Sequence, residues 1–151
     1  MIPDYTGSRQ NRFLPILVVE DNPDHQHLIL HSLQHRLPEA QPVFTSSMEE
    51  TLAYLTQCAN VRGSFPQLVL LDIHLPKPEQ GWQLLKELKV RYPRLPVLAL
   101  SAHQDADTIR QAYELGIHSF LAKPLVLPDW ERYFAVLRTY WLDVVTLPPA
   151  Y

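Results

Sequence analysis

The sequence predicts an α/β domain in which a doubly wound, five-stranded parallel sheet is covered by five helices. The first observation is a series of short, unbroken apolar runs, which are typical of strands buried on both faces. The second is that each run is followed by a segment with helical spacing of apolar residues or a helix-capping signal. This alternation implies parallel strands joined by right-handed crossovers. The length of 151 residues suits one such domain.

The predicted strands are short apolar runs. The first, residues 14–19, reads LPILVV, and the third, residues 68–71, reads LVLL. Both runs are continuous, as expected of strands that helices cover on both sides. The second strand, PVFT near Val43, is a weaker signal. The fourth and fifth strands are predicted at residues 97–100 and 119–122.

The predicted helices are delimited by caps and stop residues. Asp24 is the predicted cap of the first helix, and Ser47 with Glu50 forms a capping box at the start of the second. Leucines recur at helical spacing in the third helix, and Gly116 occupies the usual stop position after the fourth. The predicted ranges are 24–37, 47–59, 81–91, from 105 or 107 to 115, and 128–142.

The two ends of the chain differ from this alternating middle. Residues 1–12 are polar and without a period, so we expect a flexible N-terminal arm before a domain at residues 13–142. Residues 143–151 form a predicted C-terminal extension that contains Pro148 and Pro149, where no helix can continue. The apolar residues of this extension need a covering surface, so it could be part of a dimer interface.

Composition and charge exclude several classes of function. Lys and Arg number 13 and Asp and Glu number 16, which gives a net charge of -3 with neutral histidine. That charge provides no electrostatic basis for binding nucleic acid or an anionic membrane. The one cysteine, Cys58, excludes an internal disulfide framework and fits a reducing compartment. Since no apolar run approaches the length of a membrane span and no signal peptide is recognisable, we predict a cytoplasmic protein.

Polar side chains of complementary charge follow four of the predicted strands. Glu20 and Asp21 come after the first strand, Asp72 after the third, Ser101 after the fourth and Lys123 after the fifth. If these four strands are neighbours, the side chains meet in one pocket at the carboxyl edge of the sheet. Three crowded carboxylates repel one another, and a hard divalent cation relieves that repulsion. We therefore predict a Mg²⁺ site there.

Acids that hold a metal, one ammonium and one hydroxyl together describe a receptor for a phosphoryl group. Phosphoryl transfer depends mainly on positioning and on charge neutralisation around the phosphoryl oxygens. Asp72, at the end of a buried strand, is the predicted nucleophile, because a carboxylate can form an acyl phosphate. Asp21 is predicted to bind the metal directly, and Glu20 directly or through water.

Four segments of the sequence, VVEDNPD, LVLLDIHLPKPEQG, VLALSA and SFLAKP, resemble the signature segments of response-regulator receiver domains of two-component signalling. The resemblance covers residues 14–142 and implies a flavodoxin-like sheet with the strand order 2-1-3-4-5. A cis peptide bond between Lys123 and Pro124 is implied as well. The residue roles implied by position are the acidic metal-binding pair Glu20 and Asp21, the phosphorylated Asp72, a metal ligand at the backbone carbonyl of His74, the hydroxyl switch Ser101, the switch aromatic Phe120 and the phosphoryl-contacting Lys123.

The resemblance implies a single-domain response regulator that accepts a phosphoryl group from a sensor histidine kinase in a phosphorelay. It implies no enzyme beyond Mg²⁺-dependent self-phosphorylation and slow self-dephosphorylation. The WERYFAVLRTYW helix and the LPPAY ending resemble the small regulators paired with cyanobacterial phytochrome kinases. That likeness implies a homodimer through the fourth helix, fifth strand, fifth helix and tail. The fifth helix is rich in aromatic residues that could serve an interface or the core: Trp130, Tyr133, Phe134, Tyr140 and Trp141.

Three other functions stay open on the residues alone. A docking or dimerisation module could keep the fold without using phosphate. A phosphatase of the haloacid dehalogenase type would need two aspartates two residues apart after the first strand, whereas Asn22 stands two residues after Glu20 and Pro23 two after Asp21. A carrier of flavin mononucleotide would need a hydroxyl- and glycine-rich loop there, and the acidic EDNPD segment would repel its phosphate. The last two are disfavoured.

Several residues depart from the family pattern. Glu20 stands where aspartate is common, which lengthens the side chain without removing the metal-binding group. His74 and His103 occupy positions that tune the lifetime of the phosphoryl group in the family. The lifetime in this protein therefore stays open.

Histidines recur along the first predicted helix. His27, His31 and His35 stand four residues apart, with His25 nearby, and such spacing can hold zinc or nickel. A solvated helix face is the favoured interpretation. Cys58, within an amphipathic helix, is expected to be a buried or half-buried apolar residue rather than a reactive thiol.

Overall fold

The computed structural model describes residues 13–61 and 63–148, so the predicted arm at 1–12 and residues 149–151 lie outside the described chain. The strands are β1 (Leu14–Val19), β2 (Ala40–Thr45), β3 (Leu68–Asp72), β4 (Val97–Ser101) and β5 (Ser119–Ala122). The α-helices are α1 (Pro23–Arg36), α2 (Met48–Cys58), α3 (Pro78–Arg91), α4 (Ala106–Glu114) and α5 (Leu127–Arg138). None of the described helices has both the length and the apolar character that a membrane crossing requires.

The five strands form one parallel sheet in the order β2-β1-β3-β4-β5. The predicted fold class and strand order are therefore confirmed. The register pairs Val19 with Leu71 and Ser101 with Ala122. Consequently the residues that follow β1, β3, β4 and β5 come together at the carboxyl edge of the sheet, where open parallel sheets place their sites.

Apolar side chains from alternate strand positions build one core on each face of the sheet. In β1, Leu17 and Val19 belong to the core beneath α2, α3 and α4, whereas Ile16 and Val18 belong to the core beneath α1 and α5. Successive residues of a strand point to opposite faces, which produces this division. Cys58 is buried in the first core, as predicted.

Two helices begin at residues other than those predicted. The cap of α1 is Asn22, whose Oδ1 accepts hydrogen bonds from the backbone N–H groups of Asp24 at 2.9 Å and His25 at 3.4 Å. The prediction of Asp24 as the cap is thus wrong, because Pro23 already occupies the first helical position. Likewise α3 begins at Pro78 rather than Gly81. Proline suits the first helical position, since the N–H that it lacks would have no partner there.

Gly81 lies where α3 approaches the loop after β3 most closely. A Cβ atom at this position would lie 1.8 Å from the carbonyl oxygen of Ile73. Since the obstacle is backbone, no side-chain rearrangement could admit even an alanine. This contact holds the start of α3 against the residue that follows Asp72.

The C-terminal helix runs further than the predicted end at Leu142. After α5, Thr139–Val144 form a π-helical turn, and the N–H of Val145 donates to the carbonyl of Tyr140 at 2.9 Å. Trp141 is buried in the core beneath α1 and α5, and Val145 and Leu147 pack against the same core. The protein's own core thus covers part of the apolar surface that we expected a partner to cover.

The Lys123–Pro124 peptide bond is trans, so the expectation of a cis bond is wrong. The trans form is the lower-energy isomer before proline, by about 0.5–1 kcal/mol.

Candidate functional site

A cavity of about 270 Å³ lies at the carboxyl edge of the sheet. The loops after β1, β3, β4 and β5 all contribute to its wall. The lining residues are Glu20, Asp21, Asn22, His25, Asp72, His74, Ala102, His103 and Lys123. Four of the predicted side chains, namely Glu20, Asp21, Asp72 and Lys123, therefore share one small cavity although up to 103 positions separate them in the chain.

Lys123 joins two of the carboxylates. Its Nζ donates a hydrogen bond to Oδ2 of Asp72 at 2.9 Å and lies 2.7 Å from Oε2 of Glu20. All three side chains are at least nine-tenths buried. Because few water molecules can screen these charges, the ammonium and the carboxylates interact more strongly than exposed ion pairs do.

Glu20 is the most deeply placed acid of the site. It is 0% exposed, and its Oε1 accepts a hydrogen bond from the backbone N–H of Asn22 at 3.1 Å. Burial raises the pKa of Glu20 to about 7, and the neighbouring charge of Asp72 adds to that rise against the opposing hydrogen bond from Lys123. Lys123 alone therefore does not offset the cost of burying the charged form of Glu20.

Asp72 ends β3 with both carboxylate oxygens engaged. Oδ1 accepts the backbone N–H of His74 at 2.9 Å, and Oδ2 accepts the ammonium of Lys123. Ligand oxygens of Glu20, Asp21 and Asp72 lie within 4.8 Å of one another. An all-oxygen acidic set of this kind fits a hard divalent cation such as Mg²⁺ or Mn²⁺, which would supply the missing positive charge.

Ser101 and Phe120 lie beside the cavity rather than in its described lining. Ser101 is fully buried at the end of β4, and its Oγ accepts the backbone N–H of His103 at 3.0 Å. Phe120, in β5, is half-buried and packs against the core beneath α4. The Tyr113 hydroxyl on α4 accepts the backbone N–H of Phe120 at 3.3 Å. The Ser101 hydroxyl is thus bound to its own loop at the edge of the cavity, and its predicted role stays a prediction.

Three histidines, His25, His74 and His103, line the cavity wall. The rings of His74 and His103 stack, with centroids 4.3 Å apart. His25 lies in the first turn of α1, with Nδ1 3.5 Å from Oε1 of Glu20, and its burial lowers its pKa. His25 therefore faces the site and not the solvated histidine face on which the sequence interpretation put it. The sequence signal that could have shown this is the Asn22-Pro23 pair, because it fixes where α1 begins and hence where His25 lies in its first turn.

The family model described as response regulator receiver domain matches residues 16–133. Among curated proteins, the chain is 33% identical over 129 residues to a probable methanogenesis regulatory protein, FilR2, of Methanothrix harundinacea, covering 84% of this chain and 83% of that protein. It is 30% identical over 138 residues to the response regulator Rcp1 of Synechocystis, covering 89% and 93% of the two chains.

Solved structures of similar proteins agree with this family match. The phosphorylated cyanobacterial phytochrome response regulator RcpA is similar over 91% of this chain and 99% of its own, with a TM-score of 0.79 and 32% identity. The Mn²⁺-bound form of Rcp1 is similar over 90% of this chain and 99% of its own, with a TM-score of 0.76 and 29% identity. Both similarities extend over almost the whole of the solved chains.

Proposed function

The chain belongs to the response regulator receiver domain family, and on this basis we propose that it accepts a phosphoryl group on the carboxylate of Asp72. The observation that carries the proposal is the burial of Asp72 between the ammonium of Lys123, at 2.9 Å, and two further acids. This complete set of charges favours phosphoryl acceptance over a phosphate-independent docking module, which would have no use for a buried, mutually repelling acid cluster.

In the proposed step, an Asp72 oxygen attacks the phosphorus of a phosphorylated histidine. The P–O bond to Asp72 forms while the P–N bond to the donor breaks, and the released imidazole nitrogen takes up a proton from solvent. Lys123 changes partner from the Asp72 carboxylate to the incoming phosphoryl oxygens, which carry more negative charge. Hydrolysis of the acyl phosphate returns the free carboxylate and inorganic phosphate.

Glu20, Asp21 and Asp72 would hold a Mg²⁺ ion, with the backbone carbonyl of His74 as a further ligand. When bound, the ion neutralises charge on the carboxylates and on the transferring phosphoryl group. The donor set supports this cofactor, since it consists of carboxylate oxygens within 4.8 Å of one another. The longer side chain of Glu20 is compatible with a contact to the ion or to a water molecule on it.

The output of phosphorylation is proposed to begin at Ser101. Its hydroxyl accepts a hydrogen bond from His103, so its own proton stays available for a phosphoryl oxygen on Asp72. Movement of Ser101 toward the phosphoryl group would shift the loop after β4 and allow Phe120 to turn inward. Phosphorylation would in this way alter the α4–β5–α5 surface to which partners bind.

The decisive experiment is phosphorylation by a small acyl phosphate in the presence of Mg²⁺, followed by intact-mass measurement. We expect an adduct with the mass of one phosphoryl group in the unmodified protein and none in Asp72→Asn. Asp24→Asn, which removes an exposed acid from the first turn of α1, is the matched control and should form the adduct normally. An adduct that survives in Asp72→Asn would overturn the assignment.

A sensor histidine kinase is the phosphoryl donor that membership of the family implies. We propose a kinase of the phytochrome type, on the similarity to Rcp1 and RcpA along nearly their whole length. The similarity to FilR2 makes a kinase of another type the alternative. Transfer rates from one purified kinase of each type distinguish them, and faster transfer from the non-phytochrome kinase would refute the pairing.

Self-association through α5 is supported by an exposed apolar stripe. Val136, Tyr140 and Val144 stand four residues apart and are 63%, 43% and 67% exposed. We propose a homodimer interface formed by α4, β5, α5 and the C-terminal tail, to which this stripe contributes. Light-scattering mass should fall from dimer to monomer in the double variant Val136→Glu/Val144→Glu. Val90→Glu, which alters an 81% exposed valine on α3, should leave the mass unchanged.

A further inference from the structure

A second cluster of potential metal ligands lies on the opposite end of α1 from the acidic cavity. His31 and His35 stand one helical turn apart on the exposed side of α1, with ring centroids 4.1 Å apart. Glu131 reaches them from α5, and its Oε1 lies 3.2 Å from Nδ1 of His35. Ligand atoms of these three residues all lie within 4.8 Å of one another.

The spacing of these atoms suits a tetrahedral ion. Zinc binds imidazole nitrogen and carboxylate oxygen at about 2.0–2.2 Å, so two ligands of a tetrahedral zinc ion lie about 3.3 Å apart. The observed separation of 3.2 Å between Nδ1 of His35 and Oε1 of Glu131 is close to that value. His31 and His35 are exposed, so the modest approach that full coordination needs is open to their rings.

Glu131 is prepared to act as an anionic ligand. Its hydrogen bond with His35 lowers its pKa, and the charge of Arg36 acts in the same direction. Arg36 contacts the other carboxylate oxygen, Oε2, at 3.5 Å, which leaves Oε1 directed at His35. The carboxylate is therefore both charged and oriented without the metal.

We propose that His31, His35 and Glu131 form a surface site for a divalent transition metal ion such as Zn²⁺, with water completing its coordination. The site differs in chemistry from the acidic cavity, since imidazole nitrogen favours Zn²⁺ whereas an all-carboxylate set favours Mg²⁺. A bound ion would tie α1 to α5, the two helices that cover one face of the sheet. It would also add positive charge to the exposed surface formed by α1 and α5.

The test is titration of the full chain with Zn²⁺ by calorimetry in buffer that contains excess Mg²⁺, repeated on Asp72→Asn so that any Zn²⁺ bound in the acidic cavity is recognised. We expect one Zn²⁺ per chain with a Kd below about 100 µM, and a melting temperature that rises by about 5–10 °C at a hundredfold excess of free Zn²⁺ over Kd. Binding should be at least about tenfold weaker in Glu131→Gln and in His31→Gln/His35→Gln.

The matched control is His27→Gln, which removes another exposed histidine one turn earlier on the same helix. Its Zn²⁺ affinity should equal that of the unmodified chain. All variants should melt at similar temperatures in chelator, which separates loss of a ligand from loss of the fold. The proposal is overturned if Zn²⁺ does not bind, if Glu131→Gln binds as tightly as the unmodified chain, if His27→Gln abolishes binding, or if one ion is shared between two chains.

Discussion

The ammonium of Lys123 lies 2.7 Å from a carboxylate oxygen of Glu20, a side chain that no solvent reaches. The same ammonium lies 2.9 Å from Oδ2 of Asp72. One positive charge is thus shared between two buried acids. Burial, together with the charge of Asp72, raises the pKa of Glu20 to about 7 although Lys123 acts against that rise. The cavity thus places Asp72, the proposed phosphoryl acceptor, beside an acid whose pKa is raised by burial.

Glu20 should make the stability of the metal-free protein depend on pH. Because its pKa rises from 4.5 to about 7 on folding, its protonated form contributes stability that is present below 4.5 and is lost as the pH rises through about 7. Relative to Glu20→Gln, the unmodified protein should lose about 2–3 kcal/mol of unfolding free energy between about pH 5 and pH 8. Urea unfolding in chelator at both pH values measures the difference. Glu49→Gln, on the exposed side of α2, is the control, and a difference that does not vary with pH would contradict the prediction.

Mg²⁺ should stabilise the protein more at about pH 8 than at about pH 5, because protons and the cation compete for the same carboxylates. At a hundredfold excess over Kd we expect a rise in melting temperature of about 5–10 °C at the higher pH. Asp72→Asn should lose most of this rise, and Asp24→Asn should keep it. An equal Mg²⁺ effect in Asp72→Asn would place the ion elsewhere.

Gly81→Ala should disturb the site from a distance. Its Cβ would collide with the backbone of Ile73, so α3 or the loop after Asp72 must move, at a cost of about 1–3 kcal/mol. The yield of phosphoryl adduct should fall together with the stability. At Gly63 a Cβ meets open space, although its φ of +82° strains an alanine. Gly63→Ala should therefore lower stability without lowering the adduct yield, and equal yields in both variants would show that Gly81 does not position Asp72.

Trp141→Ala should test how firmly the C-terminal π-helical turn is attached. Trp141 is 5% exposed in the core beneath α1 and α5, so its truncation should cost about 3 kcal/mol. Tyr140→Ala, in the same turn but 43% exposed, should cost less than about 1 kcal/mol. Chemical unfolding of the two variants gives the comparison. Similar small losses would mean that the turn is only loosely held in solution.

The regular part of the fold was predictable from the sequence because it rests on local signals. Continuous apolar runs such as residues 68–71 predict buried strands, and the capping box of Ser47 and Glu50 predicts the start of α2. The structure confirms this cap, since Ser47 Oγ accepts the backbone N–H of Glu50 at 3.1 Å. The acids and the lysine of the site were also predictable, since each directly follows a strand and parallel strands end at one edge. Their shared position in one cavity therefore follows from residue type and strand order.

Tertiary structure decided what depends on packing between distant segments. The sequence could not show that His25 turns toward Glu20, that His74 stacks on His103, or that Ser101 is held by its own loop, because loop conformation and the first turn of a helix set these contacts. Nor could it bring Glu131 to His35 across 96 positions, since only the packing of α5 against α1 joins them. Local patterns determine which elements form, whereas the docking of those elements determines which side chains meet.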